Sequence, residues 1–237
     1  MGGTTLGGIP GVRYGYCHGF ASGPRSGKAQ FFRQRLGERG IDLHVFDFNL
    51  PSFATLTVSR SIGQVKDWIA QAPAEGVVLI GSSLGGWLAS WVAQEQPQVK
   101  ALVLLAPAFE FMEHWWARLS EAEKRQWQTT GVKWIDHYGF NSLQPLHYGF
   151  VTDAQSYDDR QLTRPLPTLI LHGIADEIVP IQASQRYAAS RPWVKLVPLA
   201  GDHGLKDCLD MLWQASVGFL AACPEIGFPA NDPPHAE

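Results

Sequence analysis

One short stretch limits this chain more than any other. The apolar run Val77-Val78-Leu79-Ile80 passes through Gly81-Ser82-Ser83-Leu84-Gly85 into a helix-patterned segment, Leu84 to Gln94. A run of aliphatic residues bounded by turn residues reads as a buried strand, and a sharp turn from such a strand straight into a helix needs backbone without Cβ atoms. Glycines two positions before and two after Ser83 supply that room. The stretch therefore reads as a nucleophile elbow with Ser83 at the centre of a G-x-S-x-G frame and Ser82 outside it. A serine hydroxyl is a weak nucleophile in water, so a chain that uses one must hold it on such a turn, beside a base and facing hydrogen-bond donors. The pentapeptide alone is not specific, because glycine and serine also fill ordinary loops.

Alternation of strand and helix patterns continues along the chain. Val12 to Cys17, Leu43 to Phe48, Val77 to Ser82, Lys100 to Ala106, Leu166 to His172 and Val194 to Leu199 read as strands. Lys28 to Arg39, Ser59 to Ala72, Leu84 to Gln94, Ile181 to Ser190 and Leu205 to Ala222 read as helices. Buried-type strands separated by helices predict an α/β fold, a mainly parallel central sheet with helices on both faces and ligands at the carboxyl ends of the strands. At 237 residues this fits one domain. Only 17% of the residues are charged, below the usual quarter, so much of the chain must be buried.

Residues 107–165 interrupt the rhythm and carry Trp115, Trp116, Trp127, Trp134, Tyr138, Phe140, Tyr148 and Phe150. They are expected to form a cap inserted over the carboxyl end of the sheet. Its aromatics either bury the insertion's own small core or line a pocket, with Trp115, Trp116 and Trp127 the candidates for substrate contact. The expected division is a core of residues 1–106 and 166–223, a cap of 107–165, and a flexible, proline-rich tail over 224–237.

An elbow serine needs a histidine base and an acid to orient it, and in this topology the chain order is serine, acid, histidine. Asp176 lies in His172-Gly173-Ile174-Ala175-Asp176-Glu177, just past one strand, and His203 in Gly201-Asp202-His203-Gly204, just past the next. Each has an ordinary alternative: a loop aspartate is more often a helix cap, and a histidine between glycines more often a surface residue. Their joint occurrence at successive strand ends favours a triad. Asp202 is a weaker orienting acid because neighbouring side chains point apart, and Glu110 is the better runner-up. The amides of Leu84 and of Phe20, in the loop His18-Gly19-Phe20-Ala21-Ser22-Gly23, are the candidate oxyanion donors, with His18 bracing that loop.

Taken together, His18-Gly19-Phe20, Gly81-Ser82-Ser83-Leu84-Gly85-Gly86, His172-Gly173 with Asp176 and Val179-Pro180, and Gly201-Asp202-His203 resemble the α/β-hydrolase superfamily. The segment from His18 to Ala29 is similar to that of its small bacterial esterases, and the resemblance covers roughly residues 12 to 222. Cys17, where an apolar strand residue such as leucine is usual, and the glycine-rich start depart from the pattern. The resemblance implies a serine esterase acting through Ser83, His203 and Asp176 on a small-molecule ester. The alternative is an acyl-CoA thioesterase with the same triad, Arg25 and Lys28 meeting phosphates at the pocket mouth. From another class stands a non-catalytic receptor or interaction module that kept the fold.

A net charge of −3 gives no basic face, so neither nucleic acid nor membrane is expected as a partner. Cys17, Cys208 and Cys223 are too scattered for a disulfide framework or a zinc site, which with the absence of a leader pattern points to the cytoplasm. Gly23-Pro24-Arg25-Ser26-Gly27-Lys28-Ala29 lacks the spacing and the hydroxyl of a phosphate loop. The eight histidines show no ligand spacing. No cofactor and no metal are expected.

Overall fold

Successive residues of a strand point to opposite sides, so a strand buried on both sides must feed two cores. Val77 and Leu79 enter one hydrophobic cluster and Val78 and Ile80 the other; Leu102 and Leu104 part in the same way from Ala101, Val103 and Leu105. In the computed structural model, which describes residues 11–71 and 75–229, these residues form the middle of a six-stranded sheet.

The strands are β1 (Val12–Cys17), β2 (Leu43–Val45), β3 (Gly76–Ser82), β4 (Val99–Leu105), β5 (Val132–His137), β6 (Ser142–His147), β7 (Thr168–Gly173) and β8 (Val194–Leu199). The helices are α1 (Gly27–Gly37), α2 (Val58–Ala70), α3 (Leu84–Glu95), α4 (Phe111–Ala117), α5 (Glu121–Thr130), α6 (Gly149–Ala154), α7 (Ile181–Ala189) and α8 (Leu209–Ala221). The large sheet runs β2-β1-β3-β4-β7-β8 with every neighbour parallel. Phe32 and Leu36 of α1 and Leu212, Trp213 and Leu220 of α8 cover one face; Val65 and Ile69 of α2 and Trp87, Leu88 and Val92 of α3 cover the other. Each such buried aliphatic side chain contributes about 1.5–3 kcal/mol.

From β1 the chain steps outward to β2, whereas from β3 it proceeds the opposite way to β4, β7 and β8. Loops therefore diverge between β1 and β3 and open a crevice at their carboxyl ends. Cys17 is level with Gly81, Ser82 with Leu105, and Gly173 with Leu199, so the loops that follow leave the sheet along a common edge.

Several boundaries move. The second strand ends at Val45 instead of Phe48, because after the Phe46 amide bonds the Tyr16 carbonyl the Asp47 carboxylate takes the Asn49 amide and turns the chain. The last helix starts at Leu209, preceded by a 3-10 turn at Lys206–Cys208, since Leu205 sits at φ 51 with its amide on the Asp202 carboxylate. Within residues 107–165 the chain forms α4, α5, the antiparallel β5–β6 hairpin and α6. The tail expected to be flexible from residue 224 is packed as far as Pro229: Ile226 and Phe228 are buried, and Arg39 donates to the Pro229 carbonyl. Phe228 meets Tyr14 edge-on at 6.2 Å. Residues 1–10, 72–74 and 230–237 lie outside the described ones, and with them the expected end of the second helix at Ala72. Among the described residues no helix is long and apolar enough to cross a membrane.

Candidate active site

Ser83 follows β3 and precedes α3 with φ 53 and ψ −122, a conformation that costs a non-glycine residue on the order of 1–3 kcal/mol. The surroundings hold it there. Its amide donates to the Leu105 carbonyl, and its carbonyl accepts from the amides of Gly86, Trp87 and Ala108. A Cβ on Gly81 would lie 2.5 Å from the Gly85 carbonyl oxygen, and one on Gly85 would strike the carbonyls of Cys17 and His18. Both glycines are thus required by backbone packed on backbone.

Ser83, Asp176 and His203, separated widely in sequence, are brought together. His203 Nε2 lies 3.0 Å from Ser83 Oγ, and its Nδ1 lies 2.7 Å from Asp176 Oδ2. The carboxylate fixes the tautomer: Nδ1–H donates to it, leaving Nε2 to accept the serine proton. Asp176 is buried, and its Oδ1 accepts the amides of Ile178 and Val179, each at 2.8 Å. Burial works against its charge. Hydrogen bonds from His172, His203 and the Val179 amide, with the attraction of His203, outweigh burial and hold the carboxyl well below the usual carboxylate range. Asp202 is engaged with the Leu205 amide, and Glu110 with Arg186 and His114; neither faces His203. The Arg186 hydrogen bond is the chief reason the Glu110 carboxyl is depressed.

Of the two candidate donors, the Leu84 amide follows the serine in the chain and the Phe20 amide follows Gly19, which packs on Ser83. Leu84 is the first residue of α3, where an amide has no intrahelical acceptor. Among the described residues neither amide donates to a protein acceptor. A Cβ on Gly19 would stand 3.3 Å from that of Ser83, so the glycine permits the close approach of this loop. His18 braces it: Nε2 accepts the Phe48 amide at 3.1 Å and Nδ1–H donates to the Gly19 carbonyl at 2.8 Å. Because Nε2 accepts, the ring in this arrangement carries one proton, and burial lowers its pKa. A second brace comes from the hairpin, where His137 Nε2–H donates to Asn49 Oδ1 and Asn49 Nδ2 donates to the Ser22 carbonyl.

The three tryptophans have separate fates. Trp115 packs edge-on against Phe20 at 5.5 Å and so reaches the candidate oxyanion loop. Trp127 is buried with its indole N–H on the Leu146 carbonyl, and Trp116 packs on Tyr148 and Lys124. Trp127 is therefore part of the hydrophobic core. A cavity of about 620 Å³ opens beside Trp87, Glu110, Tyr157, Asp159, Arg186 and Tyr187, away from Ser83 and His203. Lys28, expected at a pocket mouth, instead donates to the Gly204 carbonyl at 2.8 Å behind His203, and burial pulls its pKa down to about 8. Arg25 is exposed.

The most informative residue missed in the sequence is His172, which touches Asp176 Oδ2 at 3.1 Å from within β7. Its signal was present as the four-residue spacing to Asp176.

Known proteins share this architecture. A family model described as "Uncharacterised protein family (UPF0227)" matches residues 13–220. The mouse palmitoyl-protein thioesterase ABHD10, mitochondrial, is 28% identical over 173 residues, 70% of this chain and 57% of that protein; the chain thus spans little more than half the length of this curated relative. The structure of mouse alpha/beta hydrolase domain-containing protein 10 superposes with a TM-score of 0.74 at 23% identity, covering 94% of this chain and 97% of that one. Est1E from Butyrivibrio proteoclasticus, solved with ferulic acid bound, gives a TM-score of 0.74 at 22% identity, covering 90% and 89%. The fold is that of the α/β hydrolases.

Proposed function

This chain belongs to the uncharacterised protein family UPF0227, and we propose that it is a serine hydrolase that cleaves carboxylic esters through an acyl-enzyme. The observation that carries this reading is the hydrogen-bonded series Ser83 Oγ, His203, Asp176 at adjoining strand ends. Ser83 Oγ attacks the acyl carbonyl carbon while His203 Nε2 takes its proton. The carbonyl oxygen becomes an oxyanion facing the amides of Phe20 and Leu84, worth about 10²–10³ in turnover per donor. His203 returns the proton to the departing alcohol, then takes one from the water that cleaves the acyl-serine bond and gives it back to Ser83. Asp176 stays ionised and faces the imidazolium throughout.

Thioesters are the second reading, favoured by the likeness to a palmitoyl-protein thioesterase; the same steps then release a thiol. A phosphate-binding role for Lys28 is not part of it, since that ammonium is engaged with Gly204. A cytoplasmic setting, in keeping with three buried free cysteines, belongs to the same proposal. Matched oxygen esters and thioesters of graded acyl length, assayed with the wild type and Ser83→Ala, test both readings. Turnover of either class that vanishes in Ser83→Ala is expected. Equal turnover in the folded variant would overturn the assignment.

A further inference from the structure

We infer that His172, a neutral imidazole carrying its proton on Nε2, is the positioning residue that fixes the Asp176 carboxylate for His203. The role rests on the hydrolase reading, whereas the protonation pattern stands by itself. His172 is fully buried near the end of β7. Its Nε2 lies 2.9 Å from the Val179 carbonyl oxygen and 3.1 Å from Asp176 Oδ2. A carbonyl and an ionised carboxylate only accept, so Nε2 must bear the hydrogen and share it between them. Nδ1 lies 2.8 Å from the hydroxyl of Ser184 in α7. Among the described residues Ser184 Oγ has no other hydrogen-bond partner, so its proton is satisfied by donating to Nδ1, which leaves that nitrogen the acceptor and the ring uncharged.

The neutral state has a consequence for His203. An imidazolium at position 172 would oppose the single charge of Asp176 before any imidazolium formed at position 203. As a neutral donor, His172 instead fills the remaining lone-pair direction of Oδ2. Asp176 Oδ1 accepts two backbone amides, and Oδ2 accepts His172 and His203. Four donors approaching from the Val179 turn, β7 and the His203 loop stop the carboxylate from rotating. The framework behind them is equally tight, since a Cβ on Gly173 would strike the carbonyls of Gly201 and Asp202 beside His203. An apolar ring of the same size would fill the space but leave Ser184 Oγ, the Val179 carbonyl and one side of Oδ2 without this partner.

Long-range nitrogen–proton correlation spectra of the labelled full chain at pH 7, with imidazole resonances connected through bonds to the backbone, decide the protonation pattern without any variant. His172 is expected as the Nε2–H tautomer and His203 as Nδ1–H; His172 as Nδ1–H or as imidazolium would overturn the inference. Kinetics on a 4-nitrophenyl ester then test the positioning role. His172→Phe is expected to lower kcat about ten- to a hundred-fold with KM nearly unchanged, the range for losing a hydrogen bond to a charged group. His172→Gln, which retains an N–H donor, is expected to recover most of that loss. Equal kcat in the two folded variants, or a loss confined to KM, would overturn the role. If the wild type turns over neither esters nor thioesters, the hydrolase reading and with it the positioning role fail, and the spectra still decide the tautomer.

Discussion

At the end of β3 the nucleophile is aimed by backbone, whereas in the segment inserted between β4 and β7 the rings are packed chiefly by one another. Ser83 is fixed by four main-chain hydrogen bonds and by glycines that admit no Cβ. Trp127 is fixed by rings: Trp115, Trp116 and Tyr148 stand 5.8, 6.3 and 5.9 Å from it. A few residues in strained or crowded backbone specify the first region, and each is irreplaceable there. Summed apolar contact specifies the second, where losing one ring costs stability and leaves the edge of the sheet in place.

The sharpest way to break that contrast is to change the acid. Asp176→Asn is expected to lower kcat about 10⁴-fold with the fold intact, by analogy with the triad acid of serine proteases. Asp202→Asn, one residue from His203, should cost far less. Comparable losses in steady-state kinetics would mean that Asp176 does not orient the base. Trp127→Ala should instead act on stability, lowering it by about 3–5 kcal/mol in denaturant titration while the residual folded enzyme keeps its kcat. Glycines sharpen the comparison further. Gly85→Ala forces a Cβ onto the carbonyls of Cys17 and His18 and should cost about 3 kcal/mol or more. Gly131→Ala, at φ 74 with open space around it, should cost only about 1–2 kcal/mol of backbone strain; equal losses in thermal unfolding would remove the distinction.

The smallest effect concerns acid. Burial lowers the pKa of His18 at the edge and of His137 in the hairpin, so both bind protons more readily in the unfolded chain. Stability from this source is fully present above the unfolded histidine value of about 6.5 and is lost as pH falls below it. Urea midpoints should therefore be lower at pH 5.5 than at pH 7.5, and a flat profile would contradict the neutral braces. His137→Gln should reduce the difference.

Much of the edge was legible because periodicity and strand ends carry it. β1 and β8 have the bounds read from the sequence, and Ser83, Asp176 and His203 follow once the strands are placed. His172 was missed as a partner of Asp176 because a histidine inside an apolar strand reads as core, and its link to Ser184 is tertiary. The β5–β6 hairpin was missed because Pro145 lies within it and its polar and aromatic residues follow no clear alternation. The bond from Lys28 to the Gly204 carbonyl was not legible, because a long stem can bury its head or expose it and sequence does not say which. Ile226 and Phe228 were read as tail because the prolines around them masked two residues that dock on the core.

Reaction with a fluorophosphonate tests the activated serine most directly. Ser83 Oγ displaces fluoride from phosphorus, its proton passing to His203, and the adduct is located by peptide mass spectrometry. Rapid phosphonylation of Ser83 in the wild type, and its loss in folded His203→Ala, is the expected result. A folded wild-type chain that stays unlabelled, or that is labelled elsewhere with Ser83 free, would contradict it.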